Sequence, residues 1–92
     1  MIRSIRHKAL RNYWTKGQAK GLNAHWVPRI SRILRALDVA TEPEEMNLPG
    51  YAFHSLSGKD SGRYSVRVTG NYRITFGWLD QDAIDIDLED YH

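Results

Sequence analysis

Residues 63–78 of this 92-residue chain have the sequence RYSVRVTGNYRITFGW, and this stretch decides the fold. Apolar and polar side chains alternate over residues 64–68 and again over residues 72–78, with Thr-Gly-Asn at residues 69–71 between them. Such alternation is typical of half-buried strands, and a short connection containing Gly and Asn is typical of a β-hairpin. The apolar face predicted for this hairpin consists of Tyr64, Val66, Val68, Tyr72, Ile74, Phe76 and Trp78.

Two arginines project from the opposite, polar face of the predicted hairpin. If residues 69–71 form the loop, Arg67 and Arg73 lie roughly opposite each other on the paired strands. Like charges in that arrangement repel each other, so the pair favours the presence of an anionic partner. The chemical nature of that partner decides the function of the chain.

A first amphipathic helix is predicted near the start of the chain. It covers about residues 6–16, where Leu10, Tyr13 and Trp14 have the spacing of one helical face. Gly17 follows directly and is suited to end the helix in a left-handed conformation.

A second helix is predicted to start after Asn23 and to continue to about residue 40. Because proline is tolerated only in the first turn of a helix, Pro28 favours a start nearer Trp26. The apolar stripe of this helix consists of Trp26, Ile30, Ile33, Leu34 and Leu37. Its outer face carries Arg29, Arg32 and Arg35.

Two further strands complete the prediction. Residues 51–56 alternate and are followed by a loop at residues 57–62, and residues 83–88 place Ile84, Ile86 and Leu88 on the inner face. Two helices followed by about four strands predict an α+β fold, in which both N-terminal helices pack on one mainly antiparallel sheet. We expect residues 1–92 to form a single domain, since no composition shift or repeat divides the chain.

Composition excludes several classes of protein. The chain has no cysteine, so it has neither a disulfide framework nor a thiolate zinc site, which fits a reducing compartment. No apolar run approaches the length of a membrane span or of a signal-peptide core. We therefore expect a cytoplasmic protein that does not contact a membrane.

Charge is distributed unevenly along the chain. Residues 1–37 contain nine Lys or Arg residues and no acidic residue, whereas residues 80–92 contain six acidic residues and no basic one. A helical half this basic suggests contact with a polyanion such as RNA. Internal pairing of a solvated helix face with the acidic last strand is an equally good interpretation of charge alone.

Several residue types suit the cleavage of a phosphodiester without a metal ion. The reaction needs a base for a ribose 2′-hydroxyl, a cation for the charge that develops on the phosphate, and an acid for the leaving 5′-oxygen. Neither a phosphate-binding loop nor a histidine–carboxylate motif with metal-ligand spacing is present, so no cofactor and no metal site are expected. The candidates for these roles are His54, Lys59, Arg67, Arg73, Tyr91 and His92.

Each candidate also has a purely structural interpretation. In this interpretation His54 is a hydrogen-bonded strand residue, and Arg67 and Arg73 pair with Asp85 and Asp87 on the last strand. The final two residues form a disordered terminus. Residue types alone favour these structural interpretations.

Several segments together resemble the HigB family of bacterial type II toxin–antitoxin systems, within the RelE superfamily. The segments are MIRSIRHK at residues 1–8, DVATE at residues 38–42, LSG at residues 56–58, SVRV at residues 65–68, NYRITF at residues 71–76 and DYH at residues 90–92. The resemblance covers essentially the whole chain, and the combination of NYRITF with a C-terminal DYH is its most specific part.

The resemblance implies a microbial-RNase-like α+β fold and a ribosome-dependent, metal-independent endoribonuclease that cuts mRNA in the A site. It further implies neutralisation by a small helix-turn-helix antitoxin of the HigA type, with operator DNA bound only through the toxin–antitoxin complex. The family's catalytic and substrate-positioning residues correspond here to His54, Arg73, Asp90, Tyr91 and His92, with Asn71 beside them.

One position departs from the family pattern. Some members have a lysine in the site one residue before Gly58, where this chain has Ser57. Lys59, two positions later, or Arg67 would have to supply the missing charge. Arg29 and Arg32 on the second helix then have ribosomal RNA as a natural partner, in competition with the antitoxin or the operator.

The main hypothesis is therefore a toxin that cleaves mRNA. Arg73, assisted by Arg67 or Lys59, would stabilise the scissile phosphate, and Asp90 would orient the terminal pair. His54, Tyr91 and His92 would share the base and acid roles in an order that the sequence leaves open. The alternatives are a catalytically weak or inactive protein that binds RNA or the antitoxin and helps to regulate its operon, and, more weakly, a DNA-binding module.

Overall fold

The computed structural model of the protein describes residues 1–91. Two helices precede a four-stranded antiparallel sheet of order β1-β2-β3-β4, so the predicted α+β fold is confirmed. The helices are α1 (Lys8–Lys16) and α2 (Val27–Val39), and short 3₁₀ turns cover Pro43–Met46 and Gly58–Asp60. The strands are β1 (His54–Ser55), β2 (Arg63–Thr69), β3 (Tyr72–Leu79) and β4 (Asp82–Asp90).

The central hairpin has the predicted register. Arg67 of β2 pairs directly with Arg73 of β3, and Val66 pairs with Ile74. Thr69, predicted in the loop, pairs instead with Tyr72 after an irregularity that skips one residue of β2. The connection is thus reduced to two residues, of which Gly70 has φ 48°, in the left-handed region that glycine adopts most easily.

The core lies between the helices and the inner face of the sheet. Its fully buried residues include the α2 stripe predicted from the sequence and the inward residues of the hairpin: Leu10, Ile30, Ile33, Leu34, Leu37, Met46, Val66, Ile74, Phe76 and Ile86. Trp26 lies at the start of α2, half-buried, with its ring centroid 4.5 Å from that of Tyr72. Helix α1 ends at Gly17 in the left-handed cap that was predicted.

The first helix starts two residues later than predicted. His7 caps it, since the ring Nδ1 accepts a hydrogen bond from the Leu10 N–H. The residues before it run beside β4 instead, where Ile5 forms a parallel bridge with Ile86 and the Arg6 N–H donates to the Ile86 carbonyl. The N-terminal segment is therefore attached to the free edge of the sheet.

Ion pairs reinforce this attachment at the end of the sheet where β4 begins. The N-terminal ammonium lies 3.1 Å and the Arg3 guanidinium 2.7 Å from the Asp82 carboxylate, and Arg6 lies 3.6 Å from Asp85. The hydrogen bond from the ammonium is the main cause that holds the pKa of Asp82 below its usual value. These exposed pairs contribute little stability. They show that Asp82 and Asp85, in the first half of β4, pair with cations of the N-terminal segment.

The prediction for the inner face of β4 was wrong at Ile84 and is confirmed at Ile86 and Leu88, which lie in the core or pack against it. A bulge opposite β3, with Asp85 at φ 50°, interrupts the alternation. Ala83 and Ile86 are consequently buried in the core, whereas Ile84, predicted to face inward, lies half-buried against Gly77 outside the core cluster. The strand also extends to Asp90, two residues further than predicted.

The prediction for the first strand was also wrong in its length. Only His54–Ser55 pair with β2, instead of residues 51–56. Gly50 and Ala52 have φ 82° and 45°, so the backbone turns before the strand begins. Within residues 1–91, no helix is both long and apolar enough to cross a membrane.

Candidate active site

A cleft of about 280 Å³ opens beside the β2–β3 connection, at the opposite end of the sheet from Asp82. It is lined by side chains of β1, β2, β3, the connection and the residue after β4: His54, Leu56, Ser65, Gly70, Asn71, Arg73 and Tyr91. Four of the residues singled out in the sequence (His54, Asn71, Arg73 and Tyr91) therefore meet in one concave site. The antiparallel pairing of all four strands brings them together.

Arg73 is the best-anchored cation of the cleft. Its Nε donates to the Ser65 Oγ at 2.9 Å, and a terminal nitrogen donates to the Ala52 carbonyl. A guanidinium has five N–H donors in a fixed plane, so an arginine held by two of them keeps others for a ligand. The side chain is thus oriented before any substrate arrives.

Burial leaves the Arg73 charge poorly compensated. Burial is the main cause that lowers the pKa of Arg73 from its usual value; Tyr91 opposes this effect, and the neighbouring Arg67 adds to it. Arginine nevertheless stays protonated in proteins. A bound anion would stabilise a half-buried guanidinium beside a second positive charge, which fits the anionic partner predicted from the hairpin.

The acidic residues of β4 do not neutralise the two arginines in the way that the structural interpretation required. Among residues 1–91, the ion pair of Asp85 is made with Arg6. Asp87 accepts a hydrogen bond from the Leu88 N–H. Arg73 is bound to a hydroxyl and a carbonyl, both neutral groups.

His54 is placed next to the Arg73 anchor. It lies on β1 directly opposite Ser65 of β2, and opposite residues in an antiparallel pair share a face of the sheet. Its side chain is exposed and lines the cleft. An accessible imidazole beside a cation site is suited to proton transfer with a bound substrate.

Tyr91 closes the other side of the cleft. Its backbone N–H donates to the Asn71 carbonyl at 2.7 Å, which ties the C-terminal segment to the β2–β3 connection. Burial raises the pKa of Tyr91; Glu89 and Asp60 raise it further, against the opposing effect of Arg63 and Arg73. The phenol is therefore protonated at neutral pH and is suited to donate a proton.

Asp90 and His92 are the other two residues of the predicted C-terminal site. Asp90 ends β4 and pairs with Tyr72 of β3, so its backbone position is fixed by the sheet. His92 lies outside the described residues. Their roles in orientation and proton transfer stay predictions.

The predicted RNA-binding residues are distributed around the cleft. Arg67 is exposed beside Arg73, and Lys59 is exposed on the turn Gly58–Asp60, outside the set that lines the cleft. Arg32 is exposed on α2. Arg29 differs, because its guanidinium bends back onto the protein and bonds two carbonyls, those of Gly50 and Arg67.

A buried polar chain beneath the cleft was missed by the sequence analysis. Thr75, with no exposed surface, donates its hydroxyl to Glu89 and accepts from Arg63 at 2.9 Å. Ser65, which anchors Arg73, is only 1% exposed. Alternation placed Ser65 and Thr75 on the polar face, and no signal in the sequence distinguishes a covered polar face from a solvated one.

Comparison with known proteins identifies the family to which the chain belongs. The class is that of the RelE-like toxins: the family model described as "RelE-like toxin of type II toxin-antitoxin system HigB" matches residues 3–92. A relative from Proteus vulgaris, Endoribonuclease HigB, is 42% identical over 92 residues, which cover 100% of each chain. The chain belongs to the HigB family of type II toxins, and the resemblance seen in its sequence is confirmed.

Proposed function

We propose that this protein is a toxin that cleaves mRNA on the ribosome, in the A site, without a metal ion. The observation that carries the proposal is the Arg73 guanidinium, anchored in a cleft with His54 and Tyr91 and bonded to neutral groups. The relative named an endoribonuclease matches the whole chain, which supports the same activity. Within residues 1–91, no three His, Asp or Glu side chains are grouped as metal ligands.

The proposed reaction is an internal transfer at the scissile phosphate. A base removes the proton of the ribose 2′-hydroxyl, the 2′-oxygen bonds to phosphorus, and the bond to the 5′-oxygen breaks as that oxygen receives a proton. The products are a 2′,3′-cyclic phosphate and a 5′-hydroxyl. Negative charge accumulates on the phosphate oxygens during this step, and donors already aimed at them contribute most to the rate.

The residues of the cleft divide these tasks. Arg73 holds the phosphate, because its planar N–H groups match two phosphate oxygens. Tyr91 lines the cleft and protonates the leaving oxygen, since a phenol carries its proton at neutral pH. His54 or His92 accepts the 2′-hydroxyl proton, and Asp90 orients the terminal pair.

Contacts outside the cleft bind the RNA and the ribosome. Asn71 in the cleft and the exposed Arg67 and Lys59 are suited to hold the mRNA backbone, and Arg32 is exposed on α2 for ribosomal RNA. A second groove, of about 560 Å³, is lined by basic and amide side chains that are also suited to contact RNA: His7, Lys8, Asn12, Gln18 and Lys20. RNA is thus the polyanionic partner of the basic N-terminal half of the chain.

The partners follow from membership of the family. A helix-turn-helix antitoxin of the HigA type neutralises the toxin, and operator DNA is bound only through the complex of the two proteins. The place of action is the bacterial cytoplasm, where the ribosomes are. Residues 1–92 act as one toxin domain.

The proposal is tested by regulated expression with mapping of mRNA 5′ ends, with and without the adjacent antitoxin gene. We expect growth arrest, together with new 5′ ends at a fixed position within codons of translated messages, and loss of both effects when the antitoxin is present. Intact mRNA during growth arrest would contradict the proposal and would favour the alternative of a catalytically inactive binding protein.

A further inference from the structure

Three consecutive backbone carbonyls, of residues 50, 51 and 52, connect helix α2 to the cleft. The Gly50 carbonyl accepts from Arg29 of α2 at 2.6 Å, the Tyr51 carbonyl accepts from the Arg67 N–H of β2 at 2.7 Å, and the Ala52 carbonyl accepts from Arg73 of β3. Each carbonyl is thus held by a different element. We call residues 50–52 the carbonyl segment.

The carbonyl segment has an unfavourable backbone conformation. Ala52 has φ 45°, a region that costs a non-glycine residue free energy unless its surroundings enforce it. This conformation breaks the extended run that the sequence predicted here and directs the Ala52 carbonyl to Arg73. The segment must therefore be fastened from outside if Arg73 is to find its acceptor in place.

Arg29 contributes to that fastening, together with the buried Tyr51 ring and the backbone bond between Tyr51 and Arg67. Besides the bond to Gly50, its Nε donates to the Arg67 carbonyl at 3.1 Å, and its guanidinium carbon lies 4.9 Å from the centroid of the Tyr51 ring. The planar guanidinium of Arg29 therefore joins the carbonyl segment to β2 and lies over the Tyr51 ring. Lysine has the same charge but lacks the geometry for this arrangement.

We propose that Arg29 is a positioning residue for the catalytic step, which acts on the phosphate through Arg73. The inference rests on the proposed function and replaces the expectation that Arg29 itself contacts RNA. Loss of Arg29 frees the carbonyl segment, the Ala52 acceptor moves, and the Arg73 guanidinium loses one of its two anchors. Misplacement of a catalytic group by about 1 Å can reduce a rate on the order of 100-fold.

The test compares lysine and glutamine substitutions at Arg29 and at Arg32, which is exposed on the same helix. For Arg29→Lys and Arg29→Gln alike, we expect kcat on programmed ribosomes to fall about 10- to 100-fold, with little change in KM. Arg32→Gln should instead raise KM in a salt-dependent manner, with little change in kcat, because an RNA contact contributes to binding.

A spectroscopic measurement separates this inference from the proposed function. In the ¹⁵N spectrum of the full chain, the terminal N–H of Arg73 that donates to the Ala52 carbonyl should be protected from exchange and should lose that protection in Arg29→Lys. The same Arg73 signal should remain protected from exchange in Arg32→Lys. Full activity of Arg29→Lys, or an unchanged Arg73 signal, would overturn the positioning role; a changed signal in a protein that cleaves no mRNA would overturn only the proposed function.

Discussion

Arg73→Ala is expected to reduce mRNA cleavage on the order of 100- to 1,000-fold or more and to abolish growth arrest, while the protein remains folded. The rate falls because Arg73 supplies the donors at the phosphate, and removal of one such donor group from a preorganised site has an effect of this size. Folding persists because the side chain is only half-buried and lies outside the core cluster. Cleavage of ribosome-bound mRNA and thermal unfolding followed by circular dichroism measure the two quantities.

Two further variants sharpen this prediction. Arg73→Lys retains the charge but not the planar donors, so we expect an activity closer to that of Arg73→Ala than to that of the wild type. Arg3→Ala removes an arginine whose ion pair with Asp82 lies at the far end of the sheet, and it should cleave normally. Growth arrest by Arg73→Ala as strong as that by the wild type would show that the phosphate is held elsewhere.

The second large effect is expected at the C-terminus. Deletion of residues 91–92 should abolish growth arrest, because it removes the phenol of Tyr91 together with His92. Tyr91→Phe isolates the hydroxyl and should lower the cleavage rate about 100- to 10,000-fold, the usual contribution of a general acid. Rates at a saturating concentration of programmed ribosomes measure this change in kcat.

The protonation state of Tyr91 gives an independent check of its role. Its pKa is raised, so titration of the ring by ¹³C NMR should show a midpoint above the usual value of 10.0, with the phenol protonated throughout the neutral range. Glu89→Gln should lower that midpoint, since the Glu89 charge opposes ionisation of the phenol. A midpoint below 10.0 would contradict the burial of the phenol, and wild-type cleavage by Tyr91→Phe would remove Tyr91 from the acid role.

The sequence was sufficient to predict the architecture and the pairing at the centre of the site. Alternation on both sides of a short Gly- and Asn-containing connection determined the hairpin register, including Arg67 opposite Arg73. A regular apolar stripe likewise predicted α2. These features depend on local periodicity, which can be recognised in a single sequence.

The features that the sequence did not predict depend on individual hydrogen bonds and on local turns of the backbone. The bulge at Asp85 and the turn at Ala52 carry no periodic signal, so the predicted orientation of Ile84 and the predicted length of β1 were wrong. Helical spacing placed Arg29 on the outer face of α2, but its long side chain bends back to two carbonyls. The anchors of Arg73 were missed for the same reason, because one is a backbone carbonyl and the other a buried serine.

The central claim is that the cleft directs a 2′-hydroxyl at the scissile phosphate. It is tested most directly with programmed ribosomes carrying mRNA in which the nucleotide 5′ to the mapped cleavage site has a single 2′-deoxy substitution. The account predicts that the purified protein cuts the unmodified message, leaving a 2′,3′-cyclic phosphate and a 5′-hydroxyl, and leaves the substituted message intact. Cleavage of both messages at the same position and rate would contradict it.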